Sequence, residues 1–224
     1  MRSWFSSSIS LLNGIQQQDV HEAFLEITRL LHNSTVQCVI PDLPSNLVDD
    51  DMMTSFPRYI FRFSITTSFT CAICKDVSSI SEFVEEITVP TSKCKNLESA
   101  IKEIWSEKFD KFCQNCSADT QHDIRKKVND GPRVLRIVVI RFDSNNNKIN
   151  TGIDISDKIK IMDKKFTLLG IINHHGSSPR QGHYTAAVKY KSLWSLNDKV
   201  VSPYPTTSLI DNKTAYLIFY KQDI

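Results

Sequence analysis

Residues 182–198 read GHYTAAVKYKSLWSLND and contain the pattern that decides the fold. Two short β-favouring runs, TAAVKY and SLWSL, flank the polar residues 190–192, which predicts a hairpin that turns there. In a hairpin centred on residue 190, His183 and Asn197 lie opposite each other on one face. An amide beside an imidazole holds the ring in one orientation, as nucleophilic catalysis requires. The stretch therefore predicts a strand pair that carries a candidate histidine site.

Ordinary interpretations of these residues remain open. A single histidine near the start of a strand is commonly a satisfied polar residue, and Asn-Asp is frequent in turns. The shared face of His183 and Asn197 also depends on an assumed register, because a slip of one residue would place the side chains on opposite faces. The spacing alone identifies a candidate pair and assigns no role to it.

Further strands are predicted on both sides of the hairpin. PRVLRIVVIRF at 132–142 contains the longest apolar run and predicts a buried strand. FTLLGIINHH precedes the hairpin and AYLIFYK follows it, and both favour strands. SNNNK at 144–148 predicts a turn, and residues 57–90 favour strands again. The chain is therefore β-rich.

Two segments have apolar side chains at helical spacing, DVHEAFLEITRLLH at 19–32 and LESAIKEIWSEKF at 97–109. Asp19, Glu22 and Glu26 follow one face of the first predicted helix. Such a stripe is either a solvated face or an acidic surface suited to a basic peptide. The polar, proline-containing stretch after this helix, up to residue 56, predicts a loop.

Four of the six cysteines form two C-x2-C pairs: Cys71, Cys74, Cys113 and Cys116. Two knuckles of this kind supply four thiolates to one tetrahedral Zn²⁺. A redox motif needs one pair near a βαβ pattern, which the sequence lacks, and a disulfide framework suits a much smaller secreted chain. The cysteines therefore predict structural zinc and a reducing, intracellular compartment, with Cys38 and Cys94 as buried or idle thiols.

Composition and charge argue against two classes of partner. The 224 residues are 41% hydrophobic and 23% charged, which is ordinary for a soluble globular protein. The net charge of +2 and the lack of a basic block beyond residues 125–127 argue against nucleic acid. The run VLRIVVI is too short for a membrane span and contains Arg136. We expect neither a nucleic-acid nor a membrane partner.

Six motifs in this order resemble the ubiquitin-specific protease family of cysteine deubiquitinases: QQDVHEAFLEITRLL, the paired CxxC, PRVLRIVVIRF, INHHG…GHYTAAV, WSLNDKVV and AYLIFY. The resemblance implies an α+β, papain-like cysteine protease fold with a palm, zinc-bearing fingers and a truncated thumb. It implies one domain over 1–224, with a thumb remnant at 1–56, fingers at 57–131 and a palm at 132–224. Ubiquitin or ubiquitinated proteins would be the partners.

The resemblance also implies roles for individual residues. His183 would be the general base, Asn197 its orienting partner and Asp198 a neighbouring polar residue that assists. The family's reaction is hydrolysis of the isopeptide bond at the C-terminal glycine of ubiquitin by Cys-His-Asn chemistry.

Recognition of the ubiquitin tail is implied at a second group of residues. Asp19 and Glu22 would contact the arginines of the tail. Tyr184 and a loop from His174 to Arg180 would line a channel that is narrow enough to favour the terminal glycines.

The family's nucleophilic cysteine lies in a box of the form GLxNxGNTCxxN, upstream of the QQD segment. No cysteine precedes Gln17 here, and MRSWFSSSISLLNGI does not resemble that box. Cys38 follows the first predicted helix instead of starting a helix, so we do not expect it to substitute. The chain has no assigned nucleophile and is predicted to be inactive alone.

Three functions follow. The first is the C-terminal portion of an active deubiquitinase, which the retained His183 and Asn197 favour. The second is a catalytically dead ubiquitin-binding or adaptor module, which the missing thiol favours. The third is a zinc-ribbon nucleic-acid binder, against which the near-neutral charge argues.

Overall fold

A computed structural model describes residues 19–35, 55–91, 95–178 and 181–223 of the chain. In these ranges the helices are α1 (Val20–Thr35), α2 (Phe56–Phe61) and α3 (Leu97–Ile104), and residues Thr206–Leu209 form a 3₁₀ turn. The strands are β1 (Phe63–Cys71), β2 (Val77–Val84), β3 (Ile87–Pro90), β4 (Lys108–Cys113), β5 (Ala118–Asp130), β6 (Val134–Ile140), β7 (Lys158–Ile161), β8 (Lys164–Ser178), β9 (Gln181–Tyr190), β10 (Ser192–Asn197), β11 (Val200–Pro203) and β12 (Ala215–Gln222). No helix among these residues is long and apolar enough to cross a membrane.

The strands form two sheets. The smaller one, here the finger sheet, is antiparallel and has the order β2-β1-β5-β4. The larger one, here the palm sheet, has the order β11-β10-β9-β8-β12-β6-β3, and β7 pairs with β8. Strand β3 pairs in parallel with β6, so the segment 57–131 contributes to both sheets.

The main core lies between the palm sheet and α3. Leu135 and Ile137 of β6 are buried in one cluster with Leu97 and Ile101 of α3. The intervening Arg136 is also buried, because the opposite face of β6 is covered as well. Burial on both faces explains the nearly continuous apolar run, and the buried strand predicted within 132–142 is confirmed over Val134–Ile140.

Helix α1 packs on the opposite face of the palm sheet through an aromatic contact. The ring centroid of Phe24 lies 5.4 Å from that of Phe61 in α2 and 5.4 Å from that of Phe219 in β12. The helix predicted at 19–32 is confirmed and extends over Val20–Thr35.

A charged network supports this packing. The Arg136 Nη2 atom donates to Glu86 Oε2 at 2.7 Å, and the His21 Nε2 atom lies 3.0 Å from the same oxygen. The Arg136 guanidinium also lies 4.8 Å from the centre of the Phe24 ring. Glu86 therefore joins α1 to the buried strand β6.

Two sequence predictions were wrong in their boundaries. The strands predicted from residue 57 begin only at Phe63, because Pro57 near the start of α2 favours a short helix. The helix predicted at 97–109 ends at Ile104, and Lys108–Cys113 is strand β4. Pairing of β4 with β5 brings Cys113 to the end of the finger sheet, which overrides helical propensity.

Candidate active site and metal centre

The hairpin carries His183 on β9 and Asn197 at the end of β10. The predicted turn is confirmed, but its centre is Lys191, because Tyr190 pairs with Ser192. Lys191 is the turn residue and adopts φ 60°. The observed pairing of β9 with β10 is therefore shifted by two residues from the predicted pairing. The two side chains are therefore diagonal neighbours and not directly opposite, yet they stay on one face because side chains alternate with period two.

The His183 Nε2 atom lies 2.6 Å from Asn197 Oδ1. An amide oxygen only accepts hydrogen bonds, so Nε2 carries the proton and donates a hydrogen bond to Asn197 Oδ1. In a neutral ring of this tautomer, Nδ1 has a lone pair and can accept a proton. The pair therefore has the form of an oriented general base.

A cleft of about 770 Å³ surrounds this pair. His175 also borders it, with Nε2 at 2.9 Å from the Thr185 hydroxyl and a ring centroid 6.5 Å from that of His183. Burial, and then the charges of Lys148 and His183, lower the pKa of His175. His175 is therefore neutral at pH 7 and places no positive charge beside the candidate base.

Asp198 follows Asn197 in a two-residue turn between β10 and β11. Its φ of 51° lies in the left-handed region, which aspartate tolerates better than most residues. Its carboxylate forms no hydrogen bond or ion pair within the described part of the chain. The structure shows a turn residue here, and the assisting role stays a prediction.

Asp19 joins the start of α1 to the palm sheet. Its Oδ1 atom accepts hydrogen bonds from the backbone amides of His21 at 2.6 Å and Glu22 at 3.3 Å. Its Oδ2 atom accepts a hydrogen bond from the Tyr216 hydroxyl at 2.7 Å. The Glu22 side chain is exposed and makes no ion pair with another described residue.

The third member of the acidic stripe, Glu26, is neutralised within the helix. Its two oxygens accept hydrogen bonds from Arg29 at 2.6 and 2.7 Å. Asp19 and Glu22 are therefore the two acidic residues of the stripe without a cationic partner in the described ranges.

His174 is buried beside the candidate site, with only 1% of its surface exposed. Its ring centroid lies 4.8 Å from that of Tyr184, 5.5 Å from that of Phe142 and 6.2 Å from that of Tyr216. Neither ring nitrogen has a hydrogen-bond partner among the described atoms. Burial and then Lys148 lower the pKa of His174, so the ring is neutral.

The loop predicted from His174 to Arg180 is wrong for its first part, because β8 continues through Ser178. Residues 179–180 lie outside the described ranges. Pairing of β8 with β9 places His174 opposite Tyr184, and burial followed by the charge of Asp19 raises the pKa of Tyr184 to about 12. The two predicted tail-binding residues thus lie together on two adjacent strands.

Gly182 permits this close packing. A Cβ atom at this position would lie 2.3 Å from His174 Nε2 and 2.9 Å from the His175 carbonyl oxygen. Any side chain would collide with both groups, so the approach of β9 to β8 beside His183 requires glycine.

The four predicted metal ligands meet at the end of the finger sheet. Their sulfur atoms all lie within 4.8 Å of one another. Lys75 and Ser117, which directly follow the two C-x2-C pairs, have φ values of 63° and 50°. Both pairs are therefore followed by a left-handed residue that folds each knuckle back towards the other. Cys38 and Cys94 lie outside the described residues.

The sulfur positions fit a tetrahedral metal ion. The Cys74–Cys113 and Cys71–Cys116 sulfur distances are 3.5 and 3.9 Å. Zn–S bonds of about 2.3 Å in tetrahedral geometry require sulfur separations of about 3.8 Å. The Thr120 hydroxyl lies 3.3 Å from the Cys71 sulfur, where it can support a thiolate.

Sequence reasoning missed two residues that shape the site. The buried Arg141 donates hydrogen bonds to the carbonyls of Thr151, Asn212 and Ala215 at 2.6 to 2.8 Å. It thereby fixes the segment that borders the His183 cleft. The sequence signal for Arg141 was a third arginine in the apolar stretch 132–142. Tyr216, the partner of Asp19, had no signal beyond its place in a strand.

Comparisons with known proteins agree with this architecture. Ubiquitin carboxyl-terminal hydrolase 23 of Arabidopsis thaliana is 25% identical over 226 residues, which cover 93% of this chain and 26% of that protein. The probable ubiquitin carboxyl-terminal hydrolase 9 of Schizosaccharomyces pombe is 23% identical over 233 residues, which cover 92% of this chain and 39% of that protein. The chain thus spans well under half the length of these relatives.

Solved structures show the same fold. The Ubp8-containing SAGA DUB module bound to monoubiquitin superimposes with a TM-score of 0.81 at 22% identity, and covers 100% of this chain and 52% of that chain. The same module bound to ubiquitin aldehyde gives 0.79 at 22% identity, with 100% and 53% covered. The predicted α+β fold of the ubiquitin-specific protease type is therefore confirmed.

The family assignment rests on the sequence as a whole. A family model described as ubiquitin carboxyl-terminal hydrolase matches residues 1–220, nearly the entire chain. The chain therefore belongs to the ubiquitin carboxyl-terminal hydrolase family, as a member of the ubiquitin-specific protease type.

Proposed function

We propose that this chain supplies the palm and fingers of a deubiquitinase that hydrolyses the isopeptide bond at the C-terminal glycine of ubiquitin. The observation that carries the proposal is the hydrogen bond between His183 and Asn197, which orients an imidazole in an open cleft. Family membership and the ubiquitin-bound state of two structural neighbours support it.

In the proposed reaction, His183 Nδ1 takes the proton of a cysteine thiol. The thiolate attacks the carbonyl carbon of the terminal glycine, and His183 returns the proton to the departing lysine amine. This leaves a thioester, which water hydrolyses with His183 again acting as the base. Asn197 holds the ring through both steps, because its oxygen accepts a hydrogen bond from Nε2–H throughout.

The nucleophile is proposed to come from outside the described residues. All four cysteines in the described ranges belong to the metal cluster, and none of them lies at His183. We therefore expect no hydrolysis from the 224-residue chain alone, and cleavage only when a catalytic cysteine is present beside the site.

The ubiquitin tail is proposed to enter between α1 and the β8–β9 pair. Asp19 and Glu22 would pair with arginines of the tail, and His174 and Tyr184 would form the wall beside its glycines. The support is their position, because Asp19 lies close enough to Tyr184 to raise its pKa.

The cysteine cluster is proposed to hold one structural Zn²⁺, which cross-links the tips of β1 and β4. The support is the agreement of the sulfur separations with a tetrahedral ion. Zinc thiolates persist where thiols stay reduced, so an intracellular location is part of the proposal.

A two-part experiment tests the function. The protein purified from its source is assayed with a fluorogenic ubiquitin amide, before and after thiol alkylation. We expect hydrolysis that alkylation abolishes, whereas alkylation-resistant hydrolysis would contradict cysteine chemistry. The 224-residue chain is then titrated with ¹⁵N-labelled ubiquitin, and we expect shifts at the ubiquitin tail without cleavage. The absence of shifts would contradict the binding role.

A second candidate function is a ubiquitin-binding adaptor without catalysis. The observation that favours it is the lack of a thiol at His183 among the described residues. This function predicts the same shifts on titration but no hydrolysis by the protein from its source, so the two-part experiment separates the alternatives.

A further inference from the structure

A second cleft, of about 470 Å³, lies where α3 meets β5 and β7. It shares no lining residue with the cleft around His183. Helix α3 packs on Leu135 and Ile137, whereas α1 packs over Arg136, which points to the opposite face of β6. The second cleft therefore lies on the side of the palm sheet that α1 does not cover.

The floor of this cleft is apolar. Three side chains form the buried part of this floor, and each is at most 8% exposed: Ile101 of α3, Trp105 at the end of α3 and Ile161 of β7. Met162 is 40% exposed and contributes the accessible part of the floor. An apolar floor in an open cleft is suited to one inserted hydrophobic side chain.

The rim of the cleft is cationic, with Lys102, Arg125, Lys126 and Lys160. Only Lys126 has an ion-pair partner within the described ranges, Glu82 at 3.9 Å. Lys102, Arg125 and Lys160 are exposed and make no such pair with described residues.

Glu98 is the one carboxylate that lines the cleft, and it is already engaged. One of its oxygens accepts a hydrogen bond from the backbone amide of Lys160. The side chains at the rim therefore have a net positive charge, although the net charge of the whole chain is only +2.

We infer that this cleft binds an acidic peptide segment that carries a large apolar side chain. The carboxylates of the segment pair with Lys102, Arg125 and Lys160, and the apolar side chain covers Met162 above the buried floor. Charge complementarity sets the orientation, and desolvation of the anchor residue supplies most of the affinity.

The geometry favours a peptide over a nucleic acid. Bases bind proteins by stacking on exposed rings, and Trp105 is only 8% exposed. The inference does not depend on the function proposed for the His183 site, because the two clefts have no residue in common.

The probe for the experiment is a fluorescein-labelled decapeptide of aspartate and glutamate with one central phenylalanine. Its anisotropy is followed as the 224-residue chain is added. We expect saturable binding that weakens several-fold when NaCl rises from about 50 to about 300 mM. A peptide with alanine in place of phenylalanine should bind at least about threefold more weakly.

Charge reversal localises the site. The double variant Arg125→Glu/Lys160→Glu should lose at least about tenfold in affinity. The matched control Lys191→Glu/Lys221→Glu reverses two exposed lysines outside the cleft and should bind as the unaltered chain does. Thermal melting checks that both variants are folded.

Three outcomes would overturn the inference. They are an equal loss of affinity in both double variants, equal binding of the phenylalanine and alanine peptides, and tighter binding of a single-stranded oligonucleotide of similar charge. None of these outcomes bears on ubiquitin binding or cleavage. The peptide-binding inference can therefore fail while the proposed deubiquitinase function stands.

Discussion

At the scale of single residues, the tautomer of His183 links the fold to its proposed chemistry. Asn197 fixes that tautomer because its Oδ1 atom accepts a hydrogen bond from Nε2–H. A register shift of two residues leaves the pair intact, because both side chains stay on one face. The sequence spacing therefore predicted the contact correctly while misplacing the centre of the turn.

Asn197→Ala tests the orienting role. Without the amide the ring can rotate or change tautomer, so we expect kcat/KM of a cleavage-competent form to fall by up to about a hundredfold. Hydrolysis of a fluorogenic ubiquitin amide measures this. Asn150→Ala, an exposed asparagine outside the cleft, should leave the rate unchanged, and equal rates for all three proteins would contradict the assignment.

Gly182→Ala tests the packing beside the histidine. The new methyl group would meet His174 and the His175 carbonyl, so we expect a loss of about 1 to 3 kcal/mol in the free energy of unfolding, measured in urea. Gly131→Ala is the control, because its Cβ would meet only the flexible end of the Gln222 side chain. Equal effects of the two substitutions would contradict this account.

At the scale of elements, the network of His21, Glu86 and Arg136 determines where α1 lies on the palm sheet. Burial opposes ionisation of Glu86, but the hydrogen bond from His21 and the charge of Arg136 outweigh it, and its pKa is lowered. The folded state thus favours the carboxylate more than the unfolded state does. The network therefore stabilises the fold above the unfolded pKa of about 4.3, and its contribution is lost as the pH falls through the lower folded value.

Glu86→Gln should cost about 3 kcal/mol at pH 7, because it removes the carboxylate that pairs with the buried Arg136. The difference from the unaltered protein should shrink as the pH falls below about 4. Denaturant unfolding at several pH values measures both effects. Glu82→Gln, which removes an exposed pair, should change stability by less than about 1 kcal/mol. A pH-independent effect of Glu86→Gln would argue against an electrostatic cause.

The elements show what the sequence could and could not predict. The hairpin, the two cysteine knuckles and strand β6 depend on local spacing and alternation, so they were predictable. Helix α2 was missed because four of its six residues, Phe56, Tyr59, Ile60 and Phe61, also favour a strand, and only Pro57 indicated otherwise. The partners of Tyr216 and Arg141 lie in other segments of the chain, so local patterns do not predict these contacts, although Arg141 itself stands out as a charged residue in an apolar stretch.

At the scale of the whole molecule, the four-cysteine cluster lies at the end of the finger sheet farthest along β1 and β4 from the palm. A metal ion bound by this cluster would join the tips of these strands. The buried apolar side chains of the finger sheet other than its two cysteines are Phe63, Ile65 and Val128, and they lie at the end next to the palm. A metal cross-link at the opposite end would therefore compensate for a thin core.

Metal analysis tests this arrangement. We expect one Zn²⁺ for each purified chain, and Cys113→Ser should lose the metal and lower the thermal midpoint, because three ligands no longer complete a tetrahedral site. Cys94→Ser, which leaves all four cluster cysteines unchanged, should keep the metal. Zinc-free protein with an unchanged midpoint would contradict the structural role.

The central claim is that His183 is the base of a deubiquitinase, and one rate comparison tests it most directly. His183→Ala is introduced into the protein as expressed in its source, and hydrolysis of a ubiquitin amide is measured alongside ubiquitin binding. The account predicts a loss of at least about a hundredfold in kcat with binding retained. An undiminished rate in the His183→Ala protein would show that catalysis does not pass through this histidine.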